Sequence, residues 1–309
     1  WSTLSLCNVH SPCRIGADLN GIEIPIMRDS TTPYRPEMTQ AGLYPTHAVT
    51  AMDEYAVLRP VEIAGERPLT LYLDKREIVT LMTLGSHPEA LAIGYLRNQD
   101  FIRDIRQIKS VQVDWDSEAV AVTTHDGRAG ESSRLDKRTV TTGCGQGTLF
   151  GEIMDKLDTV KLPRLTFKQS LIYKLLENIS AYNEIYKKAG AVHGCALCRA
   201  TEILYFVEDV GRHNAVDAIA GQMWLGGIAG EDKIFYTTGR LTSEMVIKVA
   251  QMGIPLLLSR SGITRMGLEM GQKVGVTLIG RAKGKHFLVF NGIEQLEMDA
   301  MPPTKPLFK

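Results

Sequence analysis

The chain has 309 residues, with Lys plus Arg and Asp plus Glu balanced at 35 each and 44% of its residues apolar. That is material for one large or two modest domains, and zero net charge gives no bulk attraction to nucleic acid or an anionic membrane. No apolar run approaches the ~20 residues of a membrane-spanning helix, and five cysteines, two of them as Cys195-x-x-Cys198, fit reduced cytoplasmic thiols better than a disulfide framework.

The N-terminus has neither the basic start nor the apolar core of a signal peptide and lacks Met, so a trimmed or partial start is expected. Residues 1–48, broken by prolines, read as an extended arm. Its Cys7 and Cys13 have only His10 nearby as a further metal ligand. Residues 49–138 read as a small β-rich subdomain. Val57–Pro60, Leu69–Leu73 and Ile78–Met82 are expected strands, Pro88 opens a helix to Leu96, and Ile108–Val113 and Ala119–Thr124 alternate as a hairpin.

Next comes Thr139-Val140-Thr141-Thr142-Gly143-Cys144-Gly145-Gln146-Gly147, read as strand, tight turn and helix start. Backbone N–H groups and a helix N-terminus there would favour a Cys144 thiolate. The other reading is a turn carrying a small buried cysteine. The glycine spacing does not match G-x-G-x-x-G.

Residues 139–298 read as an α/β domain, followed by a tail over 299–309. Thr166-x-x-Gln169 resembles a capping box, and apolar positions from Leu171 to Ile185 follow a helical stripe. Strands at Ile203–Val207, Ile234–Thr237, Pro255–Ser259, Val276–Gly280 and Phe287–Phe290 alternate with helices at Asn214–Trp224, Ser243–Met252 and Thr264–Val274. The pattern predicts a three-layer α/β fold, a mainly parallel sheet with helices on both faces.

Four of these strands end in Gly/Ser turns bearing Arg212, Arg240, Arg260 and Arg281. Ligands bind at the carboxyl ends of parallel strands, and arginine forks suit phosphate, so a phosphate-bearing ligand is expected there. His193-x-Cys195-x-x-Cys198 has metal-like spacing, but the His-x-Glu and Pro-Cys-x-x-Cys pattern of zinc deaminases is missing. Small core cysteines are the alternative. His213 reads as a general base or a turn residue. Glu208 and Asp209 read as acceptors for a purine edge or as caps of the following helix.

Glu208-Asp209-Val210-Gly211-Arg212-His213-Asn214-Ala215-Val216-Asp217 closely resembles the signature of the FdhD/NarQ family, the formate dehydrogenase accessory sulfurtransferases. Thr238-Gly239-Arg240, Gly253-Ile254-Pro255 with Ser259-Arg260-Ser261, and Thr277 to Arg281 resemble the same family in the same order, over roughly residues 50–292. The resemblance implies a cytidine-deaminase-like fold and a cytoplasmic homodimer. It implies a carrier that takes sulfane sulfur from a cysteine desulfurase and hands it to the molybdenum bis(molybdopterin guanine dinucleotide) cofactor of formate dehydrogenase. Cys144 matches the reactive cysteine, and Arg281, Ala282, Lys283, Gly284, Lys285 and His286 match the cofactor-binding segment. Arg212, Arg240 and Arg260 would help to hold the guanine and phosphates, and no permanently bound metal is expected. Gly147 stands where the family's turn has a second cysteine. That departure leaves a cofactor-binding chaperone without sulfur transfer as an alternative, and a metal-dependent hydrolase as a third.

Overall fold

The computed structural model describes residues 33–129 and 162–302. In chain order, β1 (Glu37–Met38) precedes a hairpin of β2 (Thr46–Met52) and β3 (Leu58–Ala64), then β4 (Arg67–Leu73) and β5 (Arg76–Thr83). Helix α1 (Pro88–Asn98) starts on its proline. β6 (Ile108–Asp114) and β7 (Ala119–Thr124) follow. One sheet has the order β1-β6-β7-β4-β5. Alternation builds it: Leu69, Leu71 and Leu73 of β4 and Val120 and Val122 of β7 are all buried. Strand β1 and the start of β2 lie within the stretch read as an arm, because Glu37–Met38 pairs in parallel with β6.

β8 (Phe167–Lys168) pairs with β15 (Leu296–Glu297), and this bridge occupies the residues a capping box would need. Lys168, extended at φ −91°, is the N-cap of α2 (Gln169–Ile179), with no side-chain cap. The expected box is therefore absent. The expected single helix is also divided. Asn183 Nδ2 donates to Ile179 O, a carbonyl that would otherwise continue the helix, and α3 (Glu184–Ala189) starts afresh.

A second sheet contains β9 (His193–Arg199), β10 (Glu202–Asp209), β11 (Ile234–Thr237), β12 (Leu256–Ser259), β13 (Thr277–Lys283) and β14 (His286–Asn291). Helices α4 (Arg212–Leu225), α5 (Ser243–Gln251) and α6 (Arg265–Val274) lie between its strands in sequence. Its order is β10-β9-β11-β12-β13-β14. β11, β12 and β13 are mutually parallel, whereas β9 runs against both β10 and β11, and β14 against β13. The sheet is mixed rather than mainly parallel. The cause is β9, whose buried Gly194-Cys195-Ala196-Leu197-Cys198 lacks alternation and β-branched residues and so gives no strand signal.

Two cores flank this sheet. On one face Cys195, Leu197 and Phe235 pack with α4 and α5, and the same cluster continues through α1 to the first sheet. On the other face Ala196, Cys198 and Tyr236 pack against Ile172, Leu175 and Ile179 of α2. No helix of the described residues is long and apolar enough to cross a membrane.

Candidate functional site: an arginine-bearing sheet edge

β10 to β13 all run the same way, so the segments bearing the four arginines, the Arg240 and Arg260 loops, the start of α4 and the end of β13, lie at one edge of the second sheet. Val207, Cys195, Thr237 and Ser259 lie side by side in register just below that edge. Buried hydroxyls fix the loops above it. Thr237 Oγ1 accepts from Gly239 N at 3.0 Å, and Ser259 Oγ donates to Gly239 O at 2.6 Å while accepting from Ser261 N. Arg260 N donates to Thr237 O and Arg281 N to Ser261 O. The arginine backbones are thus pinned, while the side chains of Arg240, Arg260 and Arg281 are exposed. Arg212, first residue of α4, is buried. Its aliphatic stem covers Gly239, where an added Cβ would stand 2.9 Å from Arg212 Cδ.

Three of the four arginines divide into two groups by the buried residue each acts on. Arg212 and Arg240 both act on His193, whose pKa is lowered first by burial and then by these two charges. Arg260 instead acts on Tyr236, in the core on the opposite face of the sheet. Burial, with Lys248, Arg212 and His193, holds His213 neutral, its pKa down to about 3. Its Nε2 lies 3.1 Å from Glu244 Oε2. This edge is electropositive, with two neutral imidazoles beside it, and is suited to an anion.

Arg281 sits inside β13 at φ 53°, where the pairing with β14 shifts register. Beyond it, Lys283, Gly284, Lys285 and His286 form an exposed hairpin turn, while the Ala282 methyl is buried in the core on the α2 side. Cys144 and Gly147 lie outside the described residues, as do Cys7 and Cys13.

Several expectations need correction. Glu208 accepts from Ile185 N and Tyr186 N, each at 2.9 Å. It therefore caps α3, a preceding helix. Asp209 takes Thr83 Oγ1 and Leu84 N on one oxygen and Gly211 N and Asn214 Nδ2 on the other. Burial pushes its carboxyl above the usual range, and these four donors oppose the shift. With both oxygens saturated, it has no acceptor left for a purine edge. Cys195 and Cys198 are three residues apart on a strand, so they point to opposite faces and cannot share an ion. Both are fully buried, and burial pushes each thiol up to about 12. Cys195 Sγ donates to Thr237 Oγ1 at 3.3 Å.

Sequence reasoning missed the support beneath the edge. Lys248 Nζ lies 2.7 Å from Asp217 Oδ2, and Asn98 Nδ2 donates to Asp217 Oδ1 at 2.7 Å. The available signal was a lysine within the apolar run Met245-Val246-Ile247-Lys248-Val249-Ala250. A cavity of about 600 Å³ lies elsewhere, beside Tyr182, Phe206 and Glu208.

The model of the FdhD/NarQ family matches residues 64–297. The sulfur carrier protein FdhD of Listeria monocytogenes serotype 4b (strain F2365) is 30% identical over 237 residues, covering 76% of this chain and 91% of that protein. The sulfur carrier protein FdhD of Bacillus subtilis (strain 168) is 29% identical over 232 residues, 75% of this chain and 88% of its own. The crystal structure of a formate dehydrogenase accessory protein from Desulfotalea psychrophila superposes with a TM-score of 0.66 at 26% identity, covering 82% of this chain and 98% of that one. With the signature residues holding the turn into α4 and the family's match running from β3 to β15, the chain belongs to the FdhD/NarQ family.

Proposed function

We propose that this protein is a cytoplasmic sulfur carrier that serves formate dehydrogenase. Cys144, as a thiolate, attacks the terminal sulfane of a cysteine desulfurase persulfide; the S–S bond breaks, the donor thiolate leaves, and Cys144-S-SH forms. The terminal sulfur then passes to the molybdenum of the bis(molybdopterin guanine dinucleotide) cofactor, which is the substrate here. The Cys144 thiolate departs, and the metal supplies the two electrons that turn sulfane sulfur into a sulfide ligand. Molybdenum is soft enough to take it.

The observation that carries this reading is the electropositive edge of Arg212 and Arg240 beside neutral His193, in a family whose relatives are named sulfur carriers. Arg260, Arg281, Lys283 and Lys285 extend that charge along the rim for the cofactor's phosphates, with Ala282 at the end of β13, Gly284 in the turn and His286 opening β14. Held remotely, the cofactor would bring its metal within reach of the persulfide. A cytidine-deaminase-like arrangement of the α/β half belongs to the same reading. Helices α4 and α5 on one face of the mixed sheet and α2 on the other support it.

Intact-protein mass spectrometry after incubation with a desulfurase and cysteine tests the carrier step. The expected result is a cyanide-labile gain of one sulfur that disappears in Cys144→Ala. Gly147, in place of the turn's second cysteine, motivates the chaperone reading. Full formate dehydrogenase activity with Cys144→Ala would establish that reading and end the carrier proposal.

A further inference from the structure

The cavity of about 600 Å³ lies on the α2 side of β10, the edge strand of the second sheet. Phe206 and Glu208 are two residues apart on β10 and so project from the same face of the strand. Tyr182, between α2 and α3, sets its ring 5.5 Å from that of Phe206, tilted by 41°, and Ile185 adds an aliphatic wall. Ligand pockets run from about 300 to 1,000 Å³, so there is room here for more than one side chain.

The charged groups of the wall are acidic. Glu208 is 6% exposed; its Oε2 accepts from Ile185 N and its Oε1 from Tyr186 N. One N–H per oxygen uses half of what a carboxylate can accept, which leaves one lone pair free on each, side by side. No counter-charge comes with it: no Lys or Arg lines the cavity, and Glu184 adds a second carboxylate. Loss of water around the His87 ring lowers its pKa against the pull of Asp209 and Glu89, so that imidazole brings no positive charge. Ser86 has a sheltered hydroxyl without a partner among the described residues, so the wall holds an unmet polar group as well as an unpaired charge. Burying a carboxylate without a counter-charge is costly, and a cation entering the cavity relieves that cost.

We propose that this cavity receives the guanidinium of an arginine borne by a partner polypeptide. The two free lone pairs of Glu208 match the parallel N–H bonds of a guanidinium fork, whereas an ammonium presents a point charge. The planar cation stacks on the Tyr182 and Phe206 rings. The two carboxylates disfavour a phosphate-bearing ligand, which sets this site apart from the arginine-bearing edge. The volume also admits residues flanking the arginine, which points to a polypeptide rather than to an isolated cation. The proposal rests on the cavity and not on sulfur transfer.

Nuclear magnetic resonance on the full chain tests it, with the Ile185 methyl and Tyr182 ring signals as reporters and N-acetyl-arginine methylamide as the probe. Both signals should shift saturably, and the corresponding lysine probe should bind about 5-fold more weakly or worse. Glu208→Gln should weaken the arginine probe roughly 10-fold or more. Tyr182→Ala, followed by the Ile185 methyl and leaving the carboxylate in place, should weaken it roughly 2- to 5-fold. Thermal unfolding checks that the variants fold; Glu208→Gln also alters the start of α3, so Tyr182→Ala decides the case if that variant unfolds. No desulfurase or cofactor is present, so the outcome is independent of the carrier reading. The proposal is overturned by the absence of a saturable shift, by a lysine probe as tight as the arginine probe, or by unaltered affinity in either folded variant. Tighter binding of guanosine overturns it by assigning the cavity to a base. Binding of free arginine without the capped probe overturns it by assigning the cavity to a small molecule.

Discussion

Lys248 of α5 places its ammonium 2.7 Å from the Asp217 carboxylate of α4, with side-chain exposures of only 7% and 2%. Asn98 of α1 donates to the same carboxylate, so one acid ties three helices beneath the arginine-bearing edge. Burial pushes the Asp217 carboxyl up, and Lys248 and Asn98 oppose that shift. Lys248→Met removes the counter-charge and leaves the acid with the Asn98 amide. Breaking a buried pair from one side typically costs about 3–5 kcal/mol. Urea titration should show that loss, and Lys248→Met/Asp217→Asn should recover part of it. A double mutant as unstable as the sum of its singles would mean that the pair is not energetically coupled.

The same helices meet through glycine. A Cβ on Gly94 of α1 would lie 1.7 Å from Asp217 O, and one on Gly221 of α4 would lie 1.9 Å from Ala90 O. Backbone cannot yield as a flexible side chain does, so α1 and α4 must separate to admit either methyl. Overpacking of this kind costs about 1–3 kcal/mol or more, outweighing the ~1 kcal/mol that alanine gains over glycine in helix propensity. Gly94→Ala and Gly221→Ala should each lower the urea midpoint. An unchanged or raised midpoint would mean that the helices are less closely set.

His213 gives the edge a pH signature. Its folded pKa is about 3 against an ordinary 6.5, with burial as the largest cause and Lys248, Arg212 and His193 adding to it. Below pH 6.5 the unfolded chain takes up a proton that the folded chain refuses until about pH 3. The contribution is therefore complete above 6.5 and declines as pH falls, by up to about 1.4 kcal/mol per pH unit. Glu244 at 3.1 Å works against the depression, so this slope is a ceiling. The difference in unfolding free energy between wild type and His213→Gln, followed from pH 7 to pH 4, should shrink or change sign with falling pH. A constant difference would mean that His213 titrates normally.

Much of this architecture was legible where periodicity was strong. Leu69, Leu71 and Leu73 mark β4, and the helices starting at Pro88 and near Asn214, Ser243 and Thr264 were all foreseen within a few residues. Arg240 and Arg260 were legible as loop residues after strands because turn composition is local, whereas Arg212 opens α4 and Arg281 lies within β13. β9 was not legible, since a strand buried on both faces loses its alternation. The fates of Asp209 and Asp217 were hidden for a different reason. Their donors, Thr83 and Asn98, lie 126 and 119 residues away, a separation that no sequence window spans. The split of Arg212 and Arg240 from Arg260 was hidden likewise, because it rests on which buried group each guanidinium acts on, His193 or Tyr236.

That split predicts how the arginines combine in binding guanosine diphosphate, the nucleotide half of the proposed cofactor. Arg212→Met keeps the stem that covers Gly239 and removes the charge, while Arg240→Ala and Arg260→Ala remove exposed side chains. A charge-assisted hydrogen bond is worth about 1.5–3 kcal/mol, so each change should weaken binding roughly 10- to 100-fold. Arg212 and Arg240 act on one imidazole, so the Arg212→Met/Arg240→Ala double should depart from the sum of its singles. Either change combined with Arg260→Ala should be nearly additive. His193, freed of one neighbouring charge in Arg212→Met, should titrate closer to 6.5 by NMR, while sulfur loading on Cys144 stays at the wild-type level. Strict additivity for all three pairs, with His193 unmoved, would mean that Arg212 and Arg240 do not form one cluster.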